Sequence, residues 1–241
     1  MTDGLFSLTG KRVIIVGGSS GIGFAVAEAA VNLGANVLVA SSTSAKVDAA
    51  VERLRDATGD VVDLKQEASI IAFLDRLDPF DHLVITGGDF DPRRFAATED
   101  LTLIVAHEAF EARIFGSVAF IKHGRNKVIS GGSIVLTSGV LSRRPRKGSP
   151  FPTVTMGAVE QLVRGFAVDL APLRINAVRV GLTLTDSVRA QGPERAAALT
   201  AGLPLPRPAY PIEVALAYIY LMLNTYVTGQ ILPVDGGGSL V

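Results

Sequence analysis

The chain has 241 residues with 23 acidic and 23 basic side chains, so a small molecule is a better expected ligand than nucleic acid or an anionic membrane. It has no cysteine, which excludes disulfides, thiolate metal sites and cysteine nucleophiles, and no metal site is predicted. Its first residues lack a signal-peptide pattern and no uncharged apolar run approaches the roughly 20 residues of a membrane span, which predicts a cytoplasmic protein.

Short β-branched runs alternate with longer helix-patterned segments along the chain. The predicted strands are 12–16, 35–40, 60–64, 81–86, 132–138, 174–180 and 230–234. Helices are predicted to begin near Gly21, Ser44, Glu67, Thr98, Thr153 and Pro211, with breakers such as Gly34, Gly59 and Pro79 between elements. This order is typical of an α/β Rossmann fold, a doubly wound parallel seven-stranded sheet, here in a single domain over 1–241.

Right-handed crossovers would place helices on both faces of that sheet and open a ligand crevice at the carboxyl ends of its strands. The region 181–210 is rich in Gly, Pro and Leu and is predicted to be a mobile flap over the crevice.

A glycine-rich turn follows the first predicted strand and opens the first helix, in the segment VGGSSGIG at 16–23. Glycines permit a tight turn and a close backbone approach, and free amides at a helix start attract a pyrophosphate. A glycine trio alone is a weak signal, and a purely structural turn is the alternative. Its position between a strand and a helix nevertheless predicts a dinucleotide site.

This turn resembles the T-G-x-x-x-G-x-G motif of the short-chain dehydrogenase/reductase family, with Val16 in place of the threonine. DHLVITGGDF resembles the family's D-x-L-V-N-N-A-G segment, and GGSIVLTSG resembles its G-S-I-V-N-I-S-S strand. LRINAVRVGLTLT resembles R-V-N-x-V-x-P-G-x-x-x-T, and YVTGQILPVDGGG resembles Y-x-T-G-Q-x-x-x-V-D-G-G. The similarity runs from about residue 8 to 238, in the family's order and spacing.

The resemblance implies a set of residues around a nicotinamide dinucleotide. Those around the pyrophosphate would be Gly17, Ser19, Ser20, Gly21, Ile22 and Gly23. Those near the adenosine would be Asp63 and Leu64 at the adenine and Gly87 and Gly88 at its ribose, and those at the nicotinamide amide would be Val180, Gly181, Thr183 and Thr185.

The end of the second strand normally decides the choice of cofactor, because an acid there binds the ribose hydroxyl and an arginine binds a ribose phosphate. This chain has Ser41 and Ser42 at those positions, followed by Lys46. Hydroxyls and a lysine can donate to a phosphate, and no carboxylate repels it, so NADP(H) is favoured over NAD(H). The alternative is a polar loop in which Ser44 caps the next helix.

Reduction of a carbonyl requires a proton donor as well as a hydride. The family uses a tyrosine and a lysine four residues apart, and by the resemblance these positions fall on Pro152 and Met156. Its serine falls on Gly139 and its asparagine on Arg113. All four positions are therefore changed, unless the alignment is out of register, which the flanking segments argue against.

Three residues are candidates for the missing catalytic roles. Arg113 would place a permanent cation in the crevice, able to stabilise an oxyanion or bind a carboxylate, and the alternative is an ion pair with Glu111 or another acid. Ser138 and Thr155 lie close in sequence to the changed positions, as does Ser149. Aliphatic hydroxyls are much weaker acids than a phenol, and strand alternation turns Ser138 to the opposite face from Gly139.

Two further groups of polar residues have simpler interpretations. The loop 142–148 contains Arg143, Arg144, Arg146 and Lys147, which could bind an anionic substrate or could form a solvated surface. The three histidines occur singly, without a second metal ligand at a fitting spacing, so packed or solvated roles are expected.

These features support three functions. The first is an NADP(H)-dependent oxidoreductase acting on a carbonyl or alcohol with an altered proton source. The second is a catalytically silent nucleotide-binding sensor or partner subunit, and the third is a lyase or isomerase. The resemblance also implies a homo-oligomer, commonly a homotetramer, paired through the helices at 98–122 and 153–171 and through the tail strand. Fold alone does not choose among these functions.

Overall fold

The computed structural model describes residues 6–88 and 92–241, so the last two residues of the DHLVITGGDF segment lie outside the described ranges. The described residues form the strands β1 (Arg12–Val16), β2 (Asn36–Ser41), β3 (Ala57–Val61), β4 (Phe80–Ile85), β5 (Val128–Gly139), β6 (Arg174–Val180) and β7 (Ile231–Val234). All are parallel, in the order β3-β2-β1-β4-β5-β6-β7. The strand order reverses between β1 and β4, where a doubly wound sheet opens its ligand crevice.

Helices connect these strands. They are α1 (Gly21–Asn32), α2 (Ser44–Leu54), α3 (Glu67–Asp75), α4 (Leu103–Phe110), α5 (Gly116–Gly124), α6 (Pro150–Asp169), α7 (Asp186–Arg189), α8 (Pro193–Thr200) and α9 (Pro211–Leu223). A π-helical turn, Glu111–Phe115, joins α4 to α5. Among the described residues, no helix combines the length and the apolar character that crossing a membrane requires.

Both faces of the sheet are buried, because successive side chains of each strand point to opposite sides. In β1, Val13 and Ile15 belong to a core that includes residues of α1, α2 and α9. Ile14 and Val16 belong to the opposite core, which includes residues of α3, α5 and α6. This two-sided burial explains the positive mean hydropathy of the chain, +0.38.

Helix starts agree with local sequence signals. Proline occupies the first turn of α6 and α9, where its missing N–H leaves no hydrogen bond unmade. At α9 the Glu213 carboxylate also accepts a hydrogen bond of 2.7 Å from the Tyr210 backbone N–H. These signals place the predicted boundary of α9 correctly, and α6 begins three residues before the predicted Thr153.

The third strand differs from its prediction. It covers Ala57–Val61 instead of 60–64, and Gly59 lies inside it instead of ending a helix. A Cβ added at Gly59 would lie 2.2 Å from Val47 Cγ1 and 2.8 Å from Val51 Cγ2. The glycine therefore lets α2 pack closely on β3, a packing role that looks like a breaker in the sequence.

Two other segments differ from their predictions. The helix expected near Thr98 begins as a single 3₁₀ turn, and α4 starts only at Leu103. The region 181–210 contains α7 and α8, and its base is closed by hydrogen bonds from Leu184 N–H to the Ala209 carbonyl and from Ala209 N–H to the Leu182 carbonyl, 2.8 and 2.9 Å. Its mobility stays a prediction.

Candidate functional site

The glycine turn after β1 is shaped by contacts that only glycine permits. Gly17 has φ +83°, and a Cβ there would lie 2.5 Å from the Gly87 nitrogen beyond β4. A Cβ at Gly23 would lie 2.2 Å from the Gly17 carbonyl oxygen. The turn therefore packs directly against the backbone that follows β4, and the first turn of α1 packs on the turn itself.

The start of α1 can bind an anion. Ser20 precedes the helix in extended conformation and makes no capping hydrogen bond with its side chain. The first amides of a helix have no partners within the helix, and its dipole places partial positive charge there. A helix that begins in this way after a glycine turn provides donors for a pyrophosphate.

A small cavity of about 130 Å³ adjoins this turn. Its lining residues come from the glycine turn, the end of β2, the first turn of α2, the segments after β3 and β4, and the π-helical turn, and they are Ser19, Ser20, Ser41, Ser42, Lys46, Val62, Asp63, Leu64, Lys65, Gly88 and Ala112. The Ser19 hydroxyl donates a 2.9 Å hydrogen bond to the Ser41 hydroxyl. The structure thus brings together many of the residues predicted to hold the adenosine side of a dinucleotide.

Two lysines and one carboxylate line this cavity. Lys46 lies in the first turn of α2, and Lys65 follows β3. The Asp63 carboxylate accepts a 2.9 Å hydrogen bond from the Lys65 backbone N–H, which occupies one of its oxygens. Lys65 was absent from the sequence-based candidates because a single lysine in a loop has no distinguishing signal.

Other predicted cofactor residues lie around the same turn. A Cβ at Gly87 would meet Leu64 Cδ1 at 2.4 Å, and one at Gly21 would meet Thr185 Cγ2 at 3.0 Å. Ile22, in the first turn of α1, packs against the core on this face of the sheet. The segment after β6 therefore faces the glycine turn from across the crevice.

The residues predicted to contact the nicotinamide amide are held by the end of the sheet. The Gly181 N–H donates to the Val234 carbonyl, 2.9 Å, so the chain leaves β6 alongside β7. Thr183 is buried, and its hydroxyl donates to the Gly181 carbonyl, 3.2 Å. Val180 and Gly181 also line a second, larger cavity.

This second cavity has a volume of about 710 Å³ and a mostly apolar lining. Gly139 and Met156 meet in its wall, where a Cβ at Gly139 would lie 3.4 Å from Met156 Cγ and Sδ. All four tyrosines lie in the described ranges, and none lines this cavity. The buried Tyr218 hydroxyl is 2.6 Å from the Thr137 hydroxyl, and burial raises the pKa of this phenol.

The candidate hydroxyls Ser138 and Thr155 are both buried and lie outside the lining of either cavity. Ser138 Oγ is within hydrogen-bond distance of Glu160 Oε1, 2.9 Å, and of the Met156 carbonyl, 3.2 Å. Thr155 Oγ1 is 3.0 Å from the Phe151 carbonyl oxygen of its own helix. Both hydroxyls therefore have hydrogen-bond partners within the fold.

Arg113 joins the carboxyl ends of two central strands. Its Nη1 donates to the Thr137 carbonyl and its Nη2 to the Gly88 carbonyl, each at 3.2 Å. A Cβ at Gly88 would lie 2.3 Å from Nη2, so glycine makes room for the guanidinium. Arg113 lies in the π-helical turn Glu111–Phe115, and its hydrogen bonds hold the guanidinium beside the carboxyl ends of β4 and β5.

An ionic cluster between α6 and the sheet was not predicted from the sequence. The Glu160 carboxylate accepts hydrogen bonds from Arg179 Nε and Nη2, both 2.8 Å, and from the Ser138 and Ser142 hydroxyls. Burial acts to raise the pKa of Glu160, but the hydrogen bonds from Arg179, Ser142 and Ser138 outweigh it, so the pKa lies below its ordinary value. The cluster fixes α6 to β5 and β6.

Two of the three histidines have structural partners, and the third, His107, is exposed on α4. His82 is buried with Nδ1 2.9 Å from the Ser133 hydroxyl, and burial lowers its pKa to about 4. His123 Nε2 lies 2.7 Å from the Glu67 carboxylate at the surface. Within the described part of the chain, no group of three or more His, Cys, Asp or Glu residues could hold a metal ion.

Known proteins resemble this chain in sequence and in fold. The family described as enoyl-(acyl carrier protein) reductase matches residues 16–239. A short-chain dehydrogenase/reductase named ucsE, from Acremonium sp, is 32% identical over 95% of this chain and 96% of its own length. The chain belongs to the short-chain dehydrogenase/reductase family.

Other members of the short-chain dehydrogenase/reductase family are similar in sequence and structure. The enzyme named malC from Malbranchea aurantiaca is 32% identical over 95% of both chains. The solved structure of MalC Reductase/Diels-Alderase from that organism matches with a TM-score of 0.91 and 29% identity over the whole of both chains. A small-chain dehydrogenase in complex with NADPH matches with a TM-score of 0.83 and 29% identity, covering 96% of this chain and 99% of that one. The predicted family and the predicted Rossmann fold are confirmed.

Proposed function

We propose that the chain is an NADP(H)-dependent oxidoreductase that acts on a carbonyl or alcohol of a small molecule without a tyrosine–lysine pair. The observation that carries this proposal is the contrast between two neighbouring cavities. The smaller one keeps the glycine turn and cationic side chains that suit a nucleotide, whereas Met156 and Gly139 in the larger one offer no acid.

The choice of NADP(H) over NAD(H) rests on the lining of the smaller cavity. Lys46 and Lys65 provide two cations, and the serines at the end of β2 provide further donors. Asp63 is the carboxylate in the described lining, and one of its oxygens already accepts the Lys65 N–H. The solved NADPH complex of a related dehydrogenase supports the same choice.

When bound, NADPH would supply the hydride, so this chain's residues must orient the substrate and manage the developing charge. Arg113 places positive charge at the ends of β4 and β5, where it would stabilise negative charge on a reacting oxygen. The guanidinium stays protonated, and the partnered hydroxyls of Ser138 and Thr155 are too weakly acidic. The proton is therefore assigned to water entering the crevice or to an acidic group of the substrate.

A second candidate function is a cyclisation without hydride transfer. It is favoured by the large apolar cavity and by the similarity to the protein named a reductase/Diels-Alderase. A cycloaddition needs a shaped apolar surface and no net proton or hydride transfer, so the altered residues would not hinder it.

Turnover with deuterium-labelled NADPH separates the two candidates. NADPH carrying deuterium on the reactive carbon of the nicotinamide is incubated with the protein and a panel of aldehydes, ketones and quinones, with a control lacking protein. We expect loss of the reduced-nicotinamide absorbance and deuterium in the product by mass spectrometry. NADPH binding with no consumption across the panel would favour the cyclase or a silent nucleotide-binding protein, and no binding would refute the proposal.

A further inference from the structure

The larger cavity selects for a particular kind of substrate. We propose that it binds a largely apolar small molecule that carries an anionic group, such as a carboxylate, phosphate or sulfate, held by Arg146, Lys147 and Arg195. This assignment deepens the proposed function and rests on it, because the ligand in question is the substrate of the same site.

The composition of the cavity wall gives the first argument. Its apolar side chains are Phe95, Ala96, Ala97, Val140, Leu141, Met156, Val180, Leu182, Val188 and Leu199. Among the described lining residues three are cationic and none carries a carboxylate. The chain as a whole has no net charge, so this excess of positive charge is local to the cavity. An apolar wall that also carries cations complements an apolar molecule with an anionic group.

The three cations are unpaired within the described residues 6–88 and 92–241, where no carboxylate lies within ion-pair distance of them. Other arginines of the chain do form such pairs, for example Arg76 with Asp60 and Arg179 with Glu160. Cations that have no internal partner can bind an incoming anion without first breaking an ion pair.

The backbone that carries these cations is held in place on both sides of the cavity. The Arg146 N–H donates to the buried Ser149 hydroxyl, 3.0 Å, and that hydroxyl lies 2.6 Å from the Arg146 carbonyl oxygen. Arg195 lies on α8, which is anchored by buried Ala196 and Thr200. An anion would therefore meet preformed backbone on two separate elements, which reduces the ordering cost of binding.

The loop also contains its own matched control. Arg143 and Arg144 are exposed cations a few residues before Arg146, and they lie outside the cavity lining. If positive charge anywhere on this loop attracted anions, Arg143 and Arg144 would contribute to anion affinity as much as Arg146 and Lys147. The proposal requires that only the cavity-lining cations matter.

Two dyes that differ by one anionic group test the proposal. The probes are anilinonaphthalene sulfonate and its uncharged parent phenylnaphthylamine, each titrated by fluorescence with and without excess NADP⁺. The triple variant Arg146→Gln, Lys147→Gln, Arg195→Gln is expected to weaken binding of the sulfonate about tenfold and to leave the uncharged dye within about twofold, the scale of a few exposed charge contacts. The control variant Arg143→Gln, Arg144→Gln should leave both affinities unchanged.

Two further measurements place the anion in the cavity. Gly139→Leu adds a side chain beside Met156 and should reduce binding of both dyes, because it fills the cavity. Raising the salt concentration should weaken sulfonate binding to the wild type more than to the triple variant.

The inference is overturned by any of three results: equal effects of the triple and control variants, sulfonate binding that Gly139→Leu leaves intact, or sulfonate displacement by NADP⁺. Failure of NADP⁺ to bind at all would refute the proposed function. The comparison of the two dyes across the variants would still decide whether the larger cavity binds an anionic group.

Discussion

Glu160 shows how one residue joins three elements of this chain. Its carboxylate is buried, and it pairs with Arg179 at 2.8 Å while accepting hydrogen bonds from two serines. Removing one partner of a buried ion pair leaves the other charge without compensation, which costs more than the pair itself contributes.

The first prediction follows from this cluster. Glu160→Gln should lower the free energy of unfolding by about 3 kcal/mol at neutral pH, because Arg179, whose side chain is only 13% exposed, loses the carboxylate that it pairs with. Urea denaturation measures the change. Asp78→Asn, in the surface pair with Arg12, is the control and should cause a clearly smaller loss, because Asp78 is 89% exposed.

The same cluster predicts a pH dependence. The pKa of Glu160 in the folded chain lies below the ordinary value of 4.5, so its contribution to stability is complete above that pH and is lost as pH falls through the folded pKa. The stability difference between wild type and Glu160→Gln should therefore be greatest near neutral pH and shrink below pH 4.5. A difference that stays constant on acidification would contradict the role of the charge.

Sequence reasoning predicted part of this residue-scale chemistry. Strand alternation indicated that Ser138 faces away from Gly139, and Ser138 lies buried against Glu160. The pairing of Glu160 with Arg179 was not predictable, because residues on a helix and on the following strand meet only through the packing of α6 on the sheet. Lys65 was missed for a different reason, because a single lysine in a loop carries no signal of a binding role.

At the scale of elements, the turn between β1 and α1 depends on the absence of a side chain at Gly23. Gly23→Ala would place Cβ 2.2 Å from the Gly17 carbonyl oxygen, so the turn must open. We expect a loss of about 1–3 kcal/mol in stability and a more than tenfold loss of NADPH affinity, measured by denaturation and by fluorescence titration.

Gly165 provides the matched control for that substitution. It is exposed in α6, and a Cβ there would meet nothing within 4 Å. Gly165→Ala should raise stability by about 0.5–1 kcal/mol, because alanine favours a helix over glycine, and should leave NADPH affinity unchanged. If Gly23→Ala bound NADPH as tightly as Gly165→Ala, the assigned role of the turn would be wrong.

Most element boundaries near the crevice agree with sequence signals, since the apolar runs of β1, β4 and β6 and the proline starts of α6 and α9 are local features. The errors occur where tertiary packing decides. Gly59 is a packing site beneath Val47, and the π-helical turn Glu111–Phe115 interrupts a helix that periodicity alone treats as continuous.

At the scale of the whole molecule, α4 and α6 expose large apolar side chains. Leu103 and Ile104 are 77% and 69% exposed, and Val168 is 82% exposed. Helices at these positions were expected to pair between copies of the chain. We propose a homo-oligomer that buries these side chains.

Sedimentation velocity tests this assembly. Leu103→Glu combined with Ile104→Glu should convert the oligomer to smaller species, because a charge buried without a partner opposes association. Ile71→Glu, at an exposed position of α3, is the control and should leave the sedimentation coefficient unchanged. A wild-type protein that sediments as a monomer at micromolar concentrations would disprove the proposed oligomer.

The proposed function depends above all on the binding of a phosphorylated nicotinamide dinucleotide in the crevice. Titration of the wild type with NADPH and NADH, followed by fluorescence, tests it most directly. We expect NADPH to bind at least about tenfold more tightly than NADH, and we expect the double variant Lys46→Ala, Lys65→Ala to lose most of that difference. The control variant Lys122→Ala, on α5, should keep the preference for NADPH over NADH. Binding of neither nucleotide, or equal affinity for both, would show that the crevice is not an NADP(H) site.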